Sequence, residues 1–138
     1  MVTVKVIGAT GYGGIGIIEL LLQHPEVRLA TLVAREEIGK PLSAVYPHLA
    51  GFCELPILAA DDPAAAAPAD VVFCATPDGV GMTVARDELA KGAKVIDYSG
   101  DFRFTCAEDY AAYARRIGLD PVHLAPERGL PPQDQPPV

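Results

Sequence analysis

The feature that most constrains this chain is a glycine-rich segment near its N-terminus, Gly8-Ala9-Thr10-Gly11-Tyr12-Gly13-Gly14. It separates a β-branched run of strand length at residues 2–7 from a mostly apolar run of helix length at residues 15–24. A helix that begins at a glycine turn leaves its first N–H groups without internal acceptors. Those donors and the positive end of the helix dipole suit a phosphate group. The order of strand, turn and helix therefore predicts a nucleotide-binding α/β fold.

The spacing of the glycines supports this interpretation. Gly8 permits the tight turn, Gly11 lets the backbone approach a pyrophosphate, and Gly14 lets the helix pack close to the strand. The pattern G-x-x-G-x-x-G is a variant of the dinucleotide fingerprint, and the alternative is a glycine-rich turn in any α/β protein. A second buried strand follows at residues 27–33, as a dinucleotide site requires. We therefore favour dinucleotide binding.

Composition narrows the class of protein further. The chain has 138 residues, enough for one domain, and half of them are hydrophobic, so a packed core is expected. The net charge is −7 and no run of lysine or arginine occurs, which argues against a nucleic-acid partner. No apolar stretch reaches the length of a membrane span, and the N-terminus is a strand rather than a signal peptide.

The cysteines and histidines give no pattern of disulfides or metal ligands. The odd number of widely spaced cysteines predicts free thiols in a reducing cytoplasm, at Cys53, Cys74 and Cys106. The histidines are equally scattered, at positions 24, 48 and 123. Since none has metal-ligand spacing to another histidine or cysteine, we predict no metal site.

Strand and helix patterns alternate along the remaining chain. The first helix should stop at Pro25, and residues 34–51 should form a loop with one helical turn. A short edge strand is expected at residues 54–59, because Pro56 interrupts it. Asp61-Asp62-Pro63 indicates either a helix start or an alanine- and proline-rich surface loop, and both interpretations stay open.

The second half continues the alternation. Strands are predicted at 71–75 and 94–97, helices at 80–91 and 107–116, and one more short strand at 122–124. We expect a single Rossmann-like domain with a doubly wound parallel sheet over residues 1–130, and a proline-rich linker or truncated end over 131–138. Ligands bind beyond the carboxyl ends of such strands, so the loops starting at positions 8, 34, 75 and 98 should meet at one crevice.

The residues after the second strand indicate which dinucleotide binds. An NAD-selective site places an acid there, about 20 residues past the glycines. This chain has Ala34-Arg35 at that position and no acid before Glu36. The planar, charged fork of Arg35 suits a 2′-phosphate, which favours NADP. The alternative is a solvated arginine paired with Glu36 or Glu37.

With these positions located, the sequence resembles the N-acetyl-gamma-glutamyl-phosphate reductases of arginine biosynthesis. The matching stretches are residues 8–14, 34–35, 46–49, 74–80 and 97–103. The last stretch is the most specific, because a Ser-x-Asp-Phe-Arg run after a strand is not a general Rossmann feature. Together the stretches cover nearly all of this chain and well under half of the family's usual length. The resemblance therefore implies that a C-terminal catalytic domain is missing.

The resemblance implies an NADPH-dependent oxidoreductase that reduces an acyl phosphate to a semialdehyde. In the family a cysteine thiolate attacks the acyl phosphate and phosphate leaves to give a thioester. Hydride from NADPH then reduces the thioester, and a histidine assists proton transfer. The nucleophile belongs to an Asn-Pro-Gly-Cys-Tyr type of motif that this chain lacks. Cys106, at a predicted helix start, is the nearest substitute, but no family motif surrounds it. We therefore predict no catalytic residue here and an inactive chain.

Family roles can be carried over to matching positions. The pyrophosphate is expected against Gly8, Thr10, Gly11, Tyr12, Gly13 and Gly14, and the 2′-phosphate against Arg35. The nicotinamide side of the crevice is expected to be lined by Ala75, Thr76, Pro77 and Ser99. Arg103 is a candidate for binding the substrate's carboxylate or phosphate, and the alternative is a structural salt bridge to Asp101 or Asp97.

Two other hypotheses remain open at this stage. An aspartate-semialdehyde dehydrogenase shares the glycine turn and the acyl-phosphate chemistry, although Tyr12 and the 99–103 stretch favour the acetylglutamyl family. A non-catalytic nucleotide-binding module would use the proline-rich tail as a tether to a partner. The expected partners are a small-molecule substrate and the missing catalytic domain, without nucleic acid or membrane. The oligomeric state, a homo-oligomer included, is left open, as is an aminoadipyl substrate.

Overall fold

The computed structural model describes residues 1–119, and it contains a five-stranded parallel sheet with helices between the strands. The strands are β1 (Val2–Ile7), β2 (Val27–Val33), β3 (Ile57–Leu58), β4 (Val71–Cys74) and β5 (Lys94–Asp97). The α-helices are α1 (Tyr12–Leu22), α2 (Leu42–Val45), α3 (Gly81–Ala90) and α4 (Ala107–Arg116). The strand expected at 122–124 and the proline-rich tail at 131–138 lie outside the described residues.

The order of the strands is β3-β2-β1-β4-β5, so the chain runs outward from β1 in one direction and then returns to its other side. Every pairing is parallel. The predicted α/β class with a parallel Rossmann-like sheet is therefore confirmed. The point where the direction reverses lies between β1 and β4, and the carboxyl ends of these strands form the crevice where ligands of such folds bind. The predicted edge strand near Pro56 is β3, which pairs with β2 alone.

Alternate side chains of β1 lie on opposite faces of the sheet, as the pleat requires. Val4 and Val6 pack in the main core with Ile18 of α1. Ile7 packs in a second cluster with Val84 of α3. Helices α1 and α3 therefore cover opposite faces, which makes the sheet doubly wound.

One side chain of β1 is charged and completely buried. The Nζ of Lys5, with 0 % relative exposure, lies 2.9 and 3.1 Å from the two carboxylate oxygens of Glu88 on α3. Lys91, the residue that follows the end of α3, also contacts Glu88 at 3.0 Å. A buried charge is tolerated only when it is paired and hydrogen-bonded, so this ion pair specifies which part of α3 lies over β1.

Several helix boundaries differ from the sequence-based prediction. Helix α1 begins at Tyr12 rather than at position 15, because Gly11 adopts the extended N-cap conformation and the next two glycines form the first turn. Residues 34–51 contain α2 and a 3-10 turn (Pro47–Leu49) instead of one helical turn. Pro63–Ala66 forms a 3-10 helix, and the carboxylate of its N-cap residue, Asp62, accepts the N–H of Ala64 at 2.8 Å.

The ends of the later helices agree with the prediction. Helix α3 ends two residues before Gly92 and α4 ends two residues before Gly118, and these glycines have φ of +88° and +77°. Glycine is favoured there because other residues rarely adopt positive φ. Within residues 1–119, no helix combines the length and the apolar character needed to cross a bilayer.

Candidate functional site

The glycine turn lies at the reversal point of the sheet and is tied to both neighbouring strands. The N–H groups of Gly8 and Ala9 donate to the carbonyl of Val33, at the end of β2, at 2.8 and 3.1 Å. On the other side, the N–H of Ala75 donates to the carbonyl of Ile7 at 2.8 Å. The turn is therefore held by backbone hydrogen bonds that continue the two parallel pairings of β1.

Two glycines of the turn are required by close backbone packing. A Cβ on Gly8, whose φ is +86°, would fall inside the carbonyl group of Ala75, 2.8 Å from its carbon. A Cβ on Gly14 would collide with the Gly8 carbonyl and lie 2.9 Å from the Cα of Ala9. These contacts give the physical reason for the predicted roles of Gly8 in the turn and of Gly14 in helix–strand packing.

Gly11 is different, because a Cβ there would meet only the Gly8 carbonyl oxygen at an ordinary 3.6 Å. The protein itself therefore has room for a side chain at Gly11. Such a side chain would instead occupy space beside the first turn of α1. Because packing within the protein does not require a glycine here, its presence is consistent with a ligand that approaches the backbone at Gly11.

The first turn of α1 presents unpaired backbone donors. Among residues 1–119, the N–H groups of Tyr12, Gly13 and Gly14 have no acceptor, whereas the N–H of Ile15 donates to the carbonyl of Gly11 at 2.9 Å. No side chain caps the helix, and its first turn carries no acidic residue. Donors at the positive end of a helix dipole form a site for an anion. The Tyr12 side chain is 96 % exposed beside them.

Arg35 lies two residues beyond the end of β2, on the side of the turn opposite β4. Its side chain is exposed, and it has no hydrogen-bond or ion-pair partner in the described part of the chain. The alternative pairing with Glu36 or Glu37 is therefore wrong, and Glu37 instead contacts Lys40. An unpaired guanidinium near the turn remains free to contact an anion.

On the β4 side, the loop after β4 (75–80) and the loop after β5 (98–106) each contribute an aspartate that accepts a backbone N–H of the other loop. We call this pair of contacts the aspartate exchange. Asp78 of the first loop accepts the N–H of Gly100 at 2.5 Å. Asp101 of the second loop accepts the N–H groups of Gly79, at 2.8 and 3.0 Å, and of Met82, at 3.1 Å. Because Met82 lies in the first turn of α3, Asp101 caps that helix from another loop. The exchange fixes the two loops relative to each other.

Two tyrosines of α4 complete this exchange. The hydroxyl of Tyr110 donates to Asp101 at 2.9 Å, and the hydroxyl of Tyr113 donates to Asp78 at 2.8 Å. Desolvation raises the pKa of the Tyr110 hydroxyl, and its bond to the Asp101 carboxylate raises that pKa further. Tyr110 therefore remains a proton donor at physiological pH. Helix α4 is thereby joined to both loops.

Ser99 and Arg103 are bound to each other through the backbone. The Nε of Arg103 donates to the carbonyl of Ser99 at 2.9 Å, and its Nη2 donates to the carbonyl of Tyr98 at 3.0 Å. The Ser99 hydroxyl accepts the N–H of Asp101 at 3.1 Å. The expected alternative, a salt bridge from Arg103 to Asp101 or Asp97, is wrong, because the guanidinium is directed at the two carbonyls.

Two buried polar atoms at this edge have no hydrogen-bond partner among the described residues, and these are Oγ1 of Thr76 and Oδ2 of Asp97. The other oxygen of Asp97 accepts the N–H of Ser99 at 2.6 Å. Burial raises the pKa of the Asp97 carboxyl, and Asp101 and Asp78 add to this increase against the lowering by Ser99. Unsatisfied buried polar atoms are rare, and they concentrate at functional sites.

A cavity of about 350 Å³ opens beside these loops and is lined in part by Asp78, Tyr98, Arg103 and Tyr113. In residues 1–119, no group of three or more His, Cys, Asp or Glu side chains is placed to hold a metal ion. The cavity adjoins the loop that follows β5. That loop and the turn after β1 both lie at the carboxyl edge of the sheet.

The three thiols lie apart from this edge or are poorly suited to react. Burial raises the pKa of Cys53, and it raises that of Cys74 to about 12. At the start of α4 the backbone N–H of Asp109 lowers the pKa of Cys106, but the Asp109 carboxylate, desolvation and the Glu108 carboxylate together raise it by more. The helix start therefore does not activate Cys106 as its position alone suggested, since the thiolate is the reactive form.

The predicted site residues converge to different degrees. Contacts around Gly8 and Gly13 bring the turn against Ala75, Thr76 and Tyr98, with the Ala75 Cβ 3.5 Å from the position of a Cβ on Gly13. Arg35 and Arg103 lie on opposite sides of this centre, after β2 and β5 respectively. Pro77 is exposed in the loop after β4. All of them lie at the carboxyl edge of the sheet.

Sequence reasoning did not assign roles to Asp78, Asp101, Tyr110 or Tyr46. The aspartates fall within the stretches that carry the family resemblance, but their exchange between loops depends on the tertiary structure. The inward direction of Tyr110 can be inferred from the helical spacing only once the buried face of α4 is known. That face contains Tyr110 and Ala114. The Tyr46 hydroxyl donates to the carbonyl of Thr10 at 2.7 Å.

Comparison with known proteins gives a consistent result. Residues 3–126 match the family described as semialdehyde dehydrogenase, NAD binding domain. The chain is 42 % identical over 127 residues to the N-acetyl-gamma-glutamyl-phosphate reductase of Acidithiobacillus ferrooxidans, covering 92 % of this chain and 35 % of that protein. It is 42 % identical over 117 residues to the enzyme of the same name from Synechocystis, covering 85 % and 33 %. The chain spans about a third of the length of these relatives.

Among solved structures, the fold resembles aspartate semialdehyde dehydrogenase with NADP from Candida albicans, with a TM-score of 0.63 and 18 % identity. That match covers 94 % of this chain and 41 % of the other. Aspartate semialdehyde dehydrogenase II from Vibrio cholerae gives a TM-score of 0.58, also at 18 % identity, over 84 % of this chain and 36 % of that one. At this level of identity the likeness concerns the fold.

Proposed function

The chain belongs to the family of semialdehyde dehydrogenase NAD-binding domains, and on that premise we propose that it is the NADP-binding domain of an N-acetyl-gamma-glutamyl-phosphate reductase. Its similarity to reductases of that name confirms the resemblance in sequence. The observation that carries the choice of cofactor is the pairing of an uncapped glycine-turn helix with Arg35 after β2, which has no partner among residues 1–119.

The diphosphate of the cofactor would lie against the first turn of α1. The N–H groups of Tyr12, Gly13 and Gly14 supply donors, and no acidic residue in the first turn repels the anion. Gly11 would leave the approach open, while Gly8 packs against Ala75 after β4 and the Thr10 carbonyl accepts the hydroxyl of Tyr46, the residue after α2. Backbone donors fixed before binding lose little conformational entropy when the ligand arrives.

Arg35 would select the phosphorylated cofactor. Its guanidinium is charged at all physiological pH values and presents paired N–H donors that match a phosphate. Since no side chain of residues 1–119 neutralises it, this charge is available at the place where an NAD-selective site has an acid. We therefore expect a preference for NADP over NAD.

The nicotinamide end would extend toward the loops after β4 and β5. Ala75, Thr76 and Pro77 would line one side and Ser99 the other, and the Thr76 hydroxyl, which has no hydrogen-bond partner among residues 1–119, would offer a hydrogen bond to a polar ligand group. When bound, NADPH supplies the hydride for reduction of the thioester. The residues of this chain would hold and orient the cofactor, and in support of this the two loops are fixed relative to each other by Asp78 and Asp101.

Arg103 would bind an anionic group of the substrate. Of the five N–H donors of a guanidinium, its contacts with the carbonyls of Ser99 and Tyr98 use two, so within the described part of the chain three remain. The two carbonyl bonds hold the side chain in place beside the 350 Å³ cavity. A guanidinium oriented in this way suits a carboxylate or a phosphate.

The whole protein would carry the reductive chemistry. We propose that residues 1–130 form the NADP-binding domain and that residues 131–138 form a linker to the domain with the catalytic cysteine. We also propose a cytoplasmic location, since the cysteines of the described residues are free thiols. Assay of the complete protein on acetylglutamyl, aminoadipyl and aspartyl phosphates would identify its substrate.

The experiment that tests cofactor binding is calorimetric titration of the 138-residue chain with NADPH and NADH. We expect NADPH to bind more tightly. Arg35→Ala should lower the affinity for NADPH roughly tenfold, as expected for loss of a charge-assisted contact, and should leave NADH unchanged. Arg28→Ala is the matched control, because Arg28 is an exposed arginine near the start of the same strand. Equal affinities of the unaltered chain for NADPH and NADH would contradict the proposal.

A further inference from the structure

The Thr10–Gly11 peptide of the glycine turn is held by hydrogen bonds on both of its sides. The Tyr46 hydroxyl donates to the Thr10 carbonyl at 2.7 Å. The N–H of Gly11 donates to the carbonyl of Gly8 at 3.1 Å. Because the carbonyl of Thr10 and the N–H of Gly11 belong to one planar unit, these two bonds fix the rotation of that unit about the chain.

This peptide immediately precedes the unpaired donors of α1. Gly11 is the N-cap, and the N–H of Tyr12 follows it directly. Gly11 has no side chain that could hinder rotation of the peptide. The surroundings are open as well, since even a Cβ built on Gly11 would have its nearest atom 3.6 Å away. A rotated peptide would direct its carbonyl dipole toward an anion bound at the helix start. The Tyr46 hydroxyl is the side-chain group that holds this carbonyl away.

Tyr46 is itself held firmly. Its ring is partly buried against the main core, and its N–H donates to the carbonyl of Leu42 at 2.9 Å. Two residues later, the Nε2 of His48 lies 2.6 Å from a carboxylate oxygen of Glu19, in the middle of α1. The segment 46–48 is thus joined both to the turn and to the helix that follows it. A donor placed by such an anchored segment can hold the peptide of a glycine turn.

We propose that Tyr46 is a positioning residue for diphosphate binding, and that it acts by fixing the orientation of the Thr10–Gly11 peptide. This inference rests on the proposed function, because the ligand it serves is the diphosphate of a dinucleotide. It assigns to Tyr46 no contact with the ligand. Its effect should therefore be confined to ligands whose phosphates lie at the start of α1.

The test compares Tyr46→Phe with the unaltered 138-residue chain, using ADP and 2′-AMP as separate probes of the two phosphate positions. Loss of one hydroxyl hydrogen bond should weaken ADP binding roughly three- to tenfold. The affinity for 2′-AMP, which depends on Arg35, should not change. In the same variant, hydrogen exchange at the N–H of Gly11 should become faster. Ser43→Ala is the control, since it removes a hydroxyl hydrogen bond within the neighbouring segment, from Ser43 of α2 to the Glu54 carboxylate at 2.5 Å, and Ser43 has no role in the proposed site.

The outcomes are distinguishable. Unchanged ADP affinity in Tyr46→Phe, or an equal loss of ADP and 2′-AMP affinity, would overturn the positioning role while the proposed function stands. An equal loss of ADP affinity in Ser43→Ala would overturn it too, by showing that destabilisation of the segment alone explains the result. If the unaltered chain binds neither ADP nor NADPH, the proposed function is overturned, and this inference with it.

Discussion

The carboxylate of Asp101 accepts the backbone N–H of Gly79 through both of its oxygens, at 2.8 and 3.0 Å. These residues belong to the loops after β5 and after β4, so the contact joins two separate βα units. Asp101 has only 1 % relative exposure, and it also accepts from Met82 and Tyr110. A buried carboxylate with all of these donors stabilises the carboxyl edge of the sheet, where the proposed nicotinamide site lies.

Replacing Asp101 should destabilise the domain strongly. Asp101→Ala leaves the Gly79 and Met82 N–H groups and the Tyr110 hydroxyl without an acceptor, which should lower the free energy of unfolding by about 2–4 kcal/mol. Urea unfolding measures this change. Asp87→Ala, an exposed aspartate of α3, is the control and should change stability by less than about 0.5 kcal/mol. Equal effects of the two substitutions would contradict the capping role of Asp101.

The glycines of the first turn and first helix should differ sharply in their response to alanine. Gly8→Ala places a Cβ inside the Ala75 carbonyl at a φ of +86°, so we expect a loss of several kcal/mol, on the order of 3 or more, or failure to fold. Gly16 lies in the interior of α1, and nothing is within 4 Å of a Cβ there. Gly16→Ala should therefore stabilise by about 0.5–1 kcal/mol. Thermal unfolding of both variants tests this contrast.

Removing one partner of the buried ion pair should destabilise the domain strongly, whereas replacing both partners with apolar residues should destabilise it little. Glu88→Leu leaves Lys5 buried without its carboxylate, which should cost about 3–5 kcal/mol. The double variant Lys5→Met, Glu88→Leu should recover most of that loss, because two apolar side chains can fill the same space. Denaturant unfolding of both variants measures the coupling. If the double variant is as unstable as the single one, the charges themselves are needed for the packing of α3.

Asp97 should make stability depend on pH. Burial raises the pKa of its carboxyl above the unfolded value of 3.8, so the folded state favours the protonated form. Its contribution to stability is therefore complete below the unfolded pKa and is lost as the pH rises through the folded pKa. Asp97→Asn cannot lose a proton, so the stability of this variant relative to the unaltered chain should increase from pH 3 to pH 7.

Urea unfolding across that pH range measures the difference between the two proteins. The amide oxygen of the asparagine in Asp97→Asn would still accept the N–H of Ser99, so the loop contact is kept. Asp61→Asn, at an exposed position, provides the control for a general change of net charge. A difference between the unaltered chain and Asp97→Asn that stays constant with pH would show that burial does not disfavour the Asp97 carboxylate.

The strands and most helices could be predicted because their patterns are local. Residues 2–7 are a β-branched run and residues 27–33 a mostly apolar run, both of strand length, and α4 has the predicted bounds, with acidic residues in its first turn and basic residues in its last. The start of α1 was predicted three residues late, since glycine is a poor helix former and Gly13 and Gly14 were expected to belong to the turn. Tertiary packing of the turn against β4 outweighs that local preference.

The candidate site was predictable only where a motif carries it. The glycine spacing predicted the turn, and Arg35, in place of an acid after β2, predicted a preference for NADP; its contact with the 2′-phosphate stays a prediction. The partners of Arg103 were not predictable, because its nearest sequence neighbours are acids whereas its actual acceptors are the carbonyls of Tyr98 and Ser99. Loop conformation decides such contacts, and it depends on Asp78 and Asp101, which meet only after the sheet has formed.

The lone cation of the first strand has a consequence for how the sheet is assembled. A shift of that strand by one residue would exchange its two faces and put Lys5 among the aliphatic side chains beneath the first helix, away from Glu88. The valines on either side would then meet Glu88. A register shifted by one residue is thereby destabilised on both faces of the sheet, so the Lys5 ammonium group favours the correct register of the first strand.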